Sequence, residues 1–231
     1  NAYARLDRFF LKLFVEDEDT TLHLLVDTSR SMAWGTPSKL RFAAQVAAAT
    51  GYIALSNLDW VGLAPFADNL LAPPRSQRGR SSAPRLFSAL ERLEAGGTTD
   101  LGAAMGLYVA TARRRGPMLV LSDLCDPTWR VGLRAAVGAG YDVTLVHVLS
   151  PEEIAPDVEG DLRLLDDETG QPVDVSVDGD TMTQYTAALD AWRHRLAAWC
   201  RRRQVPFVPV ATDYPLEELV MEVLRRQGVV A

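Results

Sequence analysis

Short apolar runs alternate with longer amphipathic stretches along this chain. Leu22 to Val26 is a short apolar run that closes on Asp27. Lys39 to Asn57 is rich in Ala, Leu and Ile with few breakers and predicts a helix. Trp60 to Phe66 is strand-like, with Val61, Leu63 and Phe66 apolar. Pro84 to Leu93 and Leu101 to Arg114 predict two helices split by Gly96 and Gly97. Met118 to Leu121 reads as a buried strand running into Ser122-Asp123, Trp129 to Ala139 as a helix, and Val143 to Leu149 as a further strand. Towards the end, Met182 to Arg203 predicts a long helix, Phe207 to Val210 a strand, and Leu216 to Arg226 a last helix with Gly228 as its stop. Strands alternating with helices imply βαβ units and a mainly parallel sheet covered on both faces.

Two segments break the rhythm. Leu71 to Ser82 is a Pro, Arg, Ser and Gly stretch and predicts a surface loop. Gly160 to Val177 holds two alternating runs, Leu162-Leu164 and Val173-Val175-Val177, around Asp167 to Gly170, and predicts a β-hairpin inserted into the alternating fold. Neither an internal repeat nor a linker is visible, so the expectation is one domain over 1–231, with 1–20 as its lead-in. The first residue is Asn1 rather than Met, and a segment trimmed at its N-terminus is expected.

Composition narrows the function classes. The 231 residues carry 24 Lys+Arg against 30 Asp+Glu, a formal charge of -6. An acidic balance argues against nucleic acid as the main partner, because phosphate binding needs a cationic surface. The only cysteines, Cys125 and Cys200, stand far apart in no metal-ligand spacing. That points away from a disulfide framework or a zinc site and towards a reducing, cytoplasmic setting. Phe9 to Val15 is broken by Lys12 and too short to span a bilayer, so any membrane anchor would lie upstream.

The chemistry concentrates at strand ends. Asp27-Thr28-Ser29-Arg30-Ser31 leaves the first strand as D-x-S-x-S. In near-extended backbone alternate residues point to one side, so a carboxylate and two hydroxyls converge above the strand's carboxyl end. In open α/β sheets that edge binds ligands. Gly96-Gly97-Thr98-Thr99-Asp100 adds threonine hydroxyls ahead of a helix, and Ser122-Asp123 adds a second carboxylate at another strand end. An all-oxygen set suits a hard cation such as Mg²⁺. The bland alternative is that Ser29, Ser31 and Asp123 cap the helices that follow them.

At these residues the sequence resembles a known family. DTSRSM, GGTTD and the strand-terminal LSD are similar to the metal-ion-dependent adhesion site of von Willebrand factor A-like domains. The likeness is closer to a bacterial branch often encoded beside MoxR-type AAA+ ATPases. It extends through NAYARLDRFFLKLFVEDED, KLRFAAQVAAATGYIAL, DWVGLAPFAD, GDLRLLDDETG and TDYPLEELVMEVLRR, and so over essentially the whole chain. It implies a Rossmann-like α/β domain of the von Willebrand factor A type. It also implies that Ser29 and Ser31 contact Mg²⁺ (or Mn²⁺ or Ca²⁺) directly. Thr98 would contact it directly or through water, with Thr99 as the other candidate, and Asp27 and Asp123 would hold coordinated waters. The implied function is metal-dependent protein–protein interaction, an adaptor for a MoxR-type AAA+ ATPase or its client, with no catalysis. Neutral hydroxyls and indirect carboxylates leave a cation under-neutralised, which favours a carboxylate from a partner protein.

Other residues read more plainly. His23 and His147 lie in apolar strands and are expected in the core, and His194 on a solvated helix face. Arg113 to Arg115 and Arg201 to Arg203 end predicted helices, where cations are favourable. Arg75, Arg78, Arg80 and Arg85 have no helix end to serve, and they are candidates for contacting a partner, as is Trp34 beside the metal loop. Trp192 and Trp199, seven apart on one helix, are expected in the core. Cys125 shows no base that would make it a nucleophile. Without a G-x-S-x-G elbow, Ser-His-Asp catalysis gains no support, and without a G-x-x-x-x-G-K-[ST] loop a P-loop nucleotide site fails. A haloacid-dehalogenase-type phosphotransferase needs a second Asp where Ser29 stands, and a hydroxyl cannot replace that carboxylate in proton transfer near neutral pH. The remaining alternative is a scaffold that has lost its metal.

Overall fold

The computed structural model describes residues 20–73, 75–112, 114–165 and 171–224. The lead-in, Arg113, the turn at 167–170 and the end of the last helix with Gly228 lie outside the described residues. The chain runs β1 (Thr21–Asp27), α1 (Lys39–Ser56), β2 (Trp60–Phe66), β3 (Arg75–Arg78), α2 (Ala83–Glu91), α3 (Leu101–Thr111) and β4 (Pro117–Ser122). It continues through α4 (Trp129–Gly138), β5 (Asp142–Leu149), α5 (Pro151–Ile154), β6 (Gly160–Leu165), β7 (Pro172–Val177), α6 (Gly179–Arg202), β8 (Phe207–Ala211) and α7 (Leu216–Glu218).

Six strands form the central sheet in the order β3-β2-β1-β4-β5-β8, all parallel except β3. Successive strand side chains point to opposite faces. On β1, Leu22, Leu24 and Val26 therefore enter one core, with Phe42 and Val46 of α1 and Leu86 of α2. Leu25 enters the other, with Met105 of α3, Leu133 of α4, and Leu196 and Trp199 of α6. Burial on both faces explains the near-continuous apolar runs of β1, β4 and β5. The expected α/β class, with a mostly parallel sheet and helices on both faces, is what the chain forms. β6 and β7 make a separate antiparallel pair, the expected hairpin.

One expectation is corrected. The stretch read as a loop at Leu71 to Ser82 contains β3, paired antiparallel to Trp60–Leu63, and a 3-10 turn at Arg80–Ser82. An edge strand is held by its backbone, and its polar, charged side chains are the ordinary protection of an exposed edge. The last helix also departs from expectation: after Glu218 it widens into a π-type turn over Leu219–Leu224.

The strand order places the reversal of chain direction beside β1. From β1 the chain moves to β2 and β3, then returns to β4 on the opposite side. The carboxyl ends of β1 and β4 thus flank a topological switch point, where open α/β sheets bind ligands.

Candidate metal centre

Three loops meet at that switch point. The loop after β1 carries Asp27, Ser29 and Ser31 and tightens into a 3-10 turn at Arg30–Ala33. The loop before α3 is fastened to it by backbone bonds, Arg30 N to Gly97 O at 3.0 Å and Gly96 N to Thr28 O at 2.8 Å. Gly97 takes φ +74°, a left-handed conformation in which a side chain would be strained. The loop after β4 supplies Ser122 and Asp123, followed by Leu124 at φ 56°. A left-handed leucine carries backbone strain, and such strain gathers at ligand sites.

Asp27, Ser29, Ser122 and Asp123 are buried. Asp27 Oδ1 accepts from the Ser29 N–H at 2.9 Å, and Oδ2 accepts from the Ser122 hydroxyl at 2.6 Å. Ser31 hydrogen-bonds Asp123, whose Oδ1 accepts from the Cys125 N–H at 3.1 Å. Four predicted positions, Asp27, Ser29, Ser31 and Asp123, are therefore joined by side-chain contacts, and the GGTTD loop reaches them through its backbone bonds. Within that loop Thr98 is exposed. The Thr99 hydroxyl is buried and has no hydrogen-bond partner.

The capping alternative fits poorly. Ser29 makes no side-chain cap bond to the turn that follows it. Asp100, the last residue of the GGTTD loop and not a predicted ligand, caps α3 through the Ala103 N–H. Asp126 reaches the same helix start by accepting from the Leu101 N–H.

The donor set fits a hard divalent cation. Ser29 Oγ and Ser31 Oγ are 3.1 Å apart. Adjacent ligands of an octahedron with Mg²⁺–oxygen distances near 2.1 Å stand about 3.0 Å apart. Burial and the nearby Asp123 carboxylate push the Asp27 carboxyl up to about 6 from 3.8. That is the mark of negative charge held close together without full compensation. Burial also works against the Asp123 charge, but Lys39 overcomes it, so its pKa is lowered.

Lys39 joins this cluster, and sequence reasoning missed it. Its ammonium is fully buried, 2.8 Å from Asp123 Oδ2 and 2.5 Å from Glu153 Oε1. Glu153 is in turn clamped by a capping box with Ser150. Two signals were available. Ser150-Pro151-Glu152-Glu153 matches the capping-box pattern, and Lys39 is one of only two lysines among 24 basic residues.

The other candidates are placed as follows. Trp34 is 60% exposed, directly after the metal loop's turn. Arg75 and Arg78 sit on β3 opposite Leu63 and Trp60, away from the carboxyl ends of the strands. Arg78 donates to Leu58 O and lies over Trp60, and Arg80 lies over Tyr52. Arg85 is exposed on α2. None of these four is joined to the metal loops by the contacts described. His23 and His147 are buried and His194 is exposed, as expected. Trp199 is buried and Trp192 packs against the same core. Arg115 bonds the carbonyls of Ala112 and Ala139, each just past a helix end. Desolvation at sulfur and the Asp123 charge push the Cys125 thiol up, the opposite of an activated nucleophile.

Residues 1–195 match the family described as protein of unknown function DUF58. The chain belongs to this family. Among curated relatives of this DUF58 chain, uncharacterized proteins of Mycobacterium tuberculosis and Mycobacterium bovis are 29% identical over 99% of it and 74% of their own length. Among solved structures, a conserved hypothetical protein BatB of Bacteroides thetaiotaomicron has a TM-score of 0.56, covering 90% of this chain and 98% of its own at 15% identity. An aerotolerance-related membrane protein of Bacteroides fragilis has a TM-score of 0.55 at 16% identity, covering 89% and 99%. At these identities the likeness speaks for the fold alone. Among the described residues of the DUF58 chain, no helix is long and apolar enough to cross a membrane.

Proposed function

We propose that this DUF58 domain is a divalent-cation-dependent protein-interaction module. Ser29 and Ser31 would hold the cation directly, with Thr98 or Thr99 as the third hydroxyl. Asp27 and Asp123 would act behind them through water. When bound, the cation would supply a Lewis-acidic position that a carboxylate of a partner protein completes. The observation that carries this reading is the pair of serine hydroxyls at octahedral spacing, 3.1 Å, in front of two buried carboxylates. Each carboxylate accepts protein hydrogen bonds on both of its oxygens, which hold it in place behind the serines. That arrangement suits indirect ligation. The partner, by the family resemblance, would be a MoxR-type AAA+ ATPase or a client it remodels, and Trp34, an exposed aromatic, would anchor it.

The phosphotransferase alternative gains nothing from this geometry. A nucleophilic Asp must present a free oxygen to substrate, whereas both Asp27 oxygens are engaged and the residue is buried. No carboxylate stands at Ser29 to move the proton.

Thermal unfolding in chelator and then in Mg²⁺ or Mn²⁺ tests the reading. A ligand specific to the folded state adds about 2.7 kcal/mol at one hundred times its dissociation constant. The wild-type midpoint is expected to rise with metal, and Ser29→Ala to remove the rise. Thr98→Val and Thr99→Val separate the two threonines, since only the ligand's loss should weaken the response. An identical rise in Ser29→Ala would defeat the assignment.

A further inference from the structure

We propose that Lys39 is a tethered internal cation that competes with the divalent metal for Asp123 and so limits the affinity of the site. The inference rests on the metal-site reading above. It starts from a position where lysine is unexpected. Lys39 opens α1, after the N-cap Ser38, and the positive end of a helix dipole disfavours a cation there. The side chain is also fully buried, where lysine is rarely found without a partner. Neither local propensity nor packing accounts for it, and an apolar side chain of similar volume is often no worse than a buried ion pair. What its ammonium does touch is Asp123 Oδ2 at 2.8 Å and Glu153 Oε1 at 2.5 Å.

Those contacts fix the ammonium in place. Glu153 Oε2 accepts from the Ser150 N–H at 2.8 Å, and the Glu153 N–H donates to Ser150 Oγ at 3.2 Å. A clamped glutamate on one side and a buried aspartate on the other leave the ammonium no third position without stranding a carboxylate. Asp123 also takes the Cys125 N–H and the Ser31 hydroxyl. The carboxylate that would hold a metal-bound water is therefore already neutralised by a fixed positive charge. In the empty site this lets Asp27 and Asp123 coexist. In the filled site the same charge repels the incoming cation, so the domain alone binds metal weakly. A partner carboxylate then restores the missing negative charge, which ties tight metal binding to partner binding.

The test is Mn²⁺ affinity of the purified chain, read by electron paramagnetic resonance of free Mn²⁺ and by calorimetry. Lys39→Met should bind Mn²⁺ about tenfold tighter or more, because a unit charge within a few ångströms of the site is removed. Glu153→Gln keeps the ammonium, gives all of it to Asp123, and should weaken Mn²⁺ binding by about threefold or more. It decides the matter should Lys39→Met not fold. Equal or weaker binding by a folded Lys39→Met, or unchanged binding by Glu153→Gln, overturns the proposal while leaving the metal site standing. No Mn²⁺ binding by the wild type and either variant at millimolar metal overturns both the site and the proposal.

Discussion

Asp27→Asn is expected to make the metal-free domain more stable by about 2–3 kcal/mol at neutral pH, while abolishing its response to metal. The wild-type carboxylate is buried and faces Asp123, which raises its pKa from 3.8 to about 6. A carboxyl with a raised folded pKa favours the folded state when protonated. Its contribution is fully present below about 3.8 and lost as pH rises through about 6. At pH 7 the folded protein therefore carries a carboxylate it would hold more easily without its charge. Asn keeps an acceptor for the Ser29 N–H and offers an amide to Ser122 Oγ. Urea denaturation in chelator measures the effect. An Asn variant less stable than wild type under those conditions would show that the charge is not strained without metal. Gain of stability with loss of ligand response is how a side chain kept for binding differs from one kept for folding.

Acidification tests the histidines. His147 Nε2 lies 3.0 Å from Asp123 O and donates to it, leaving Nδ1 buried without a partner among Trp192 and Phe207. His23 Nδ1 pairs with the Tyr108 hydroxyl at 2.5 Å, and its Nε2 is buried without a partner. Burial lowers both from 6.5 to about 4, for His147 against the opposing pull of Asp123 and for His23 with help from Arg115. Groups with depressed folded pKa contribute stability that is present above 6.5 and lost as pH falls through about 4. Each should withdraw about 3 kcal/mol over that window. Asp27 returns about 2 kcal/mol as it protonates, so the wild type should lose a net of about 3–4 kcal/mol between pH 7 and 4. Asp27→Asn lacks that return and should lose about 6 kcal/mol, comparable with the whole stability of a typical domain. Denaturation curves for both proteins at the two pH values provide the check. Equal losses would contradict the account of Asp27, and no loss in either would contradict that of the histidines.

Much of this fold was legible because its strands are buried on both faces. β2 matches its expected bounds, Trp60 to Phe66, and β1, β4 and β5 differ by a residue or two at their ends. β3 was hidden because Arg75-Ser76-Gln77-Arg78 pairs through its backbone and shows solvent a loop's composition. α5 is a single turn set by a capping box, too short for periodicity to reveal. The serines and aspartates of the proposed metal site were readable because they sit at strand ends in fixed spacing. Lys39 and Glu153 were not, since their meeting joins residues 114 apart in sequence and depends on which helix starts face the same sheet edge. The arginines of β3 show the reverse. Read as part of a surface loop, they lie along the edge strand, with Arg78 opposite Trp60 at the far end of β2 from Phe66.

The most direct test of the metal centre is anomalous diffraction from crystals of the domain soaked in millimolar Mn²⁺. The account predicts a peak at bonding distance from Ser29 Oγ and Ser31 Oγ, with Asp27 and Asp123 reached through water and Lys39 still on Glu153. A map with no peak there, or with its peak elsewhere on the surface, would contradict it.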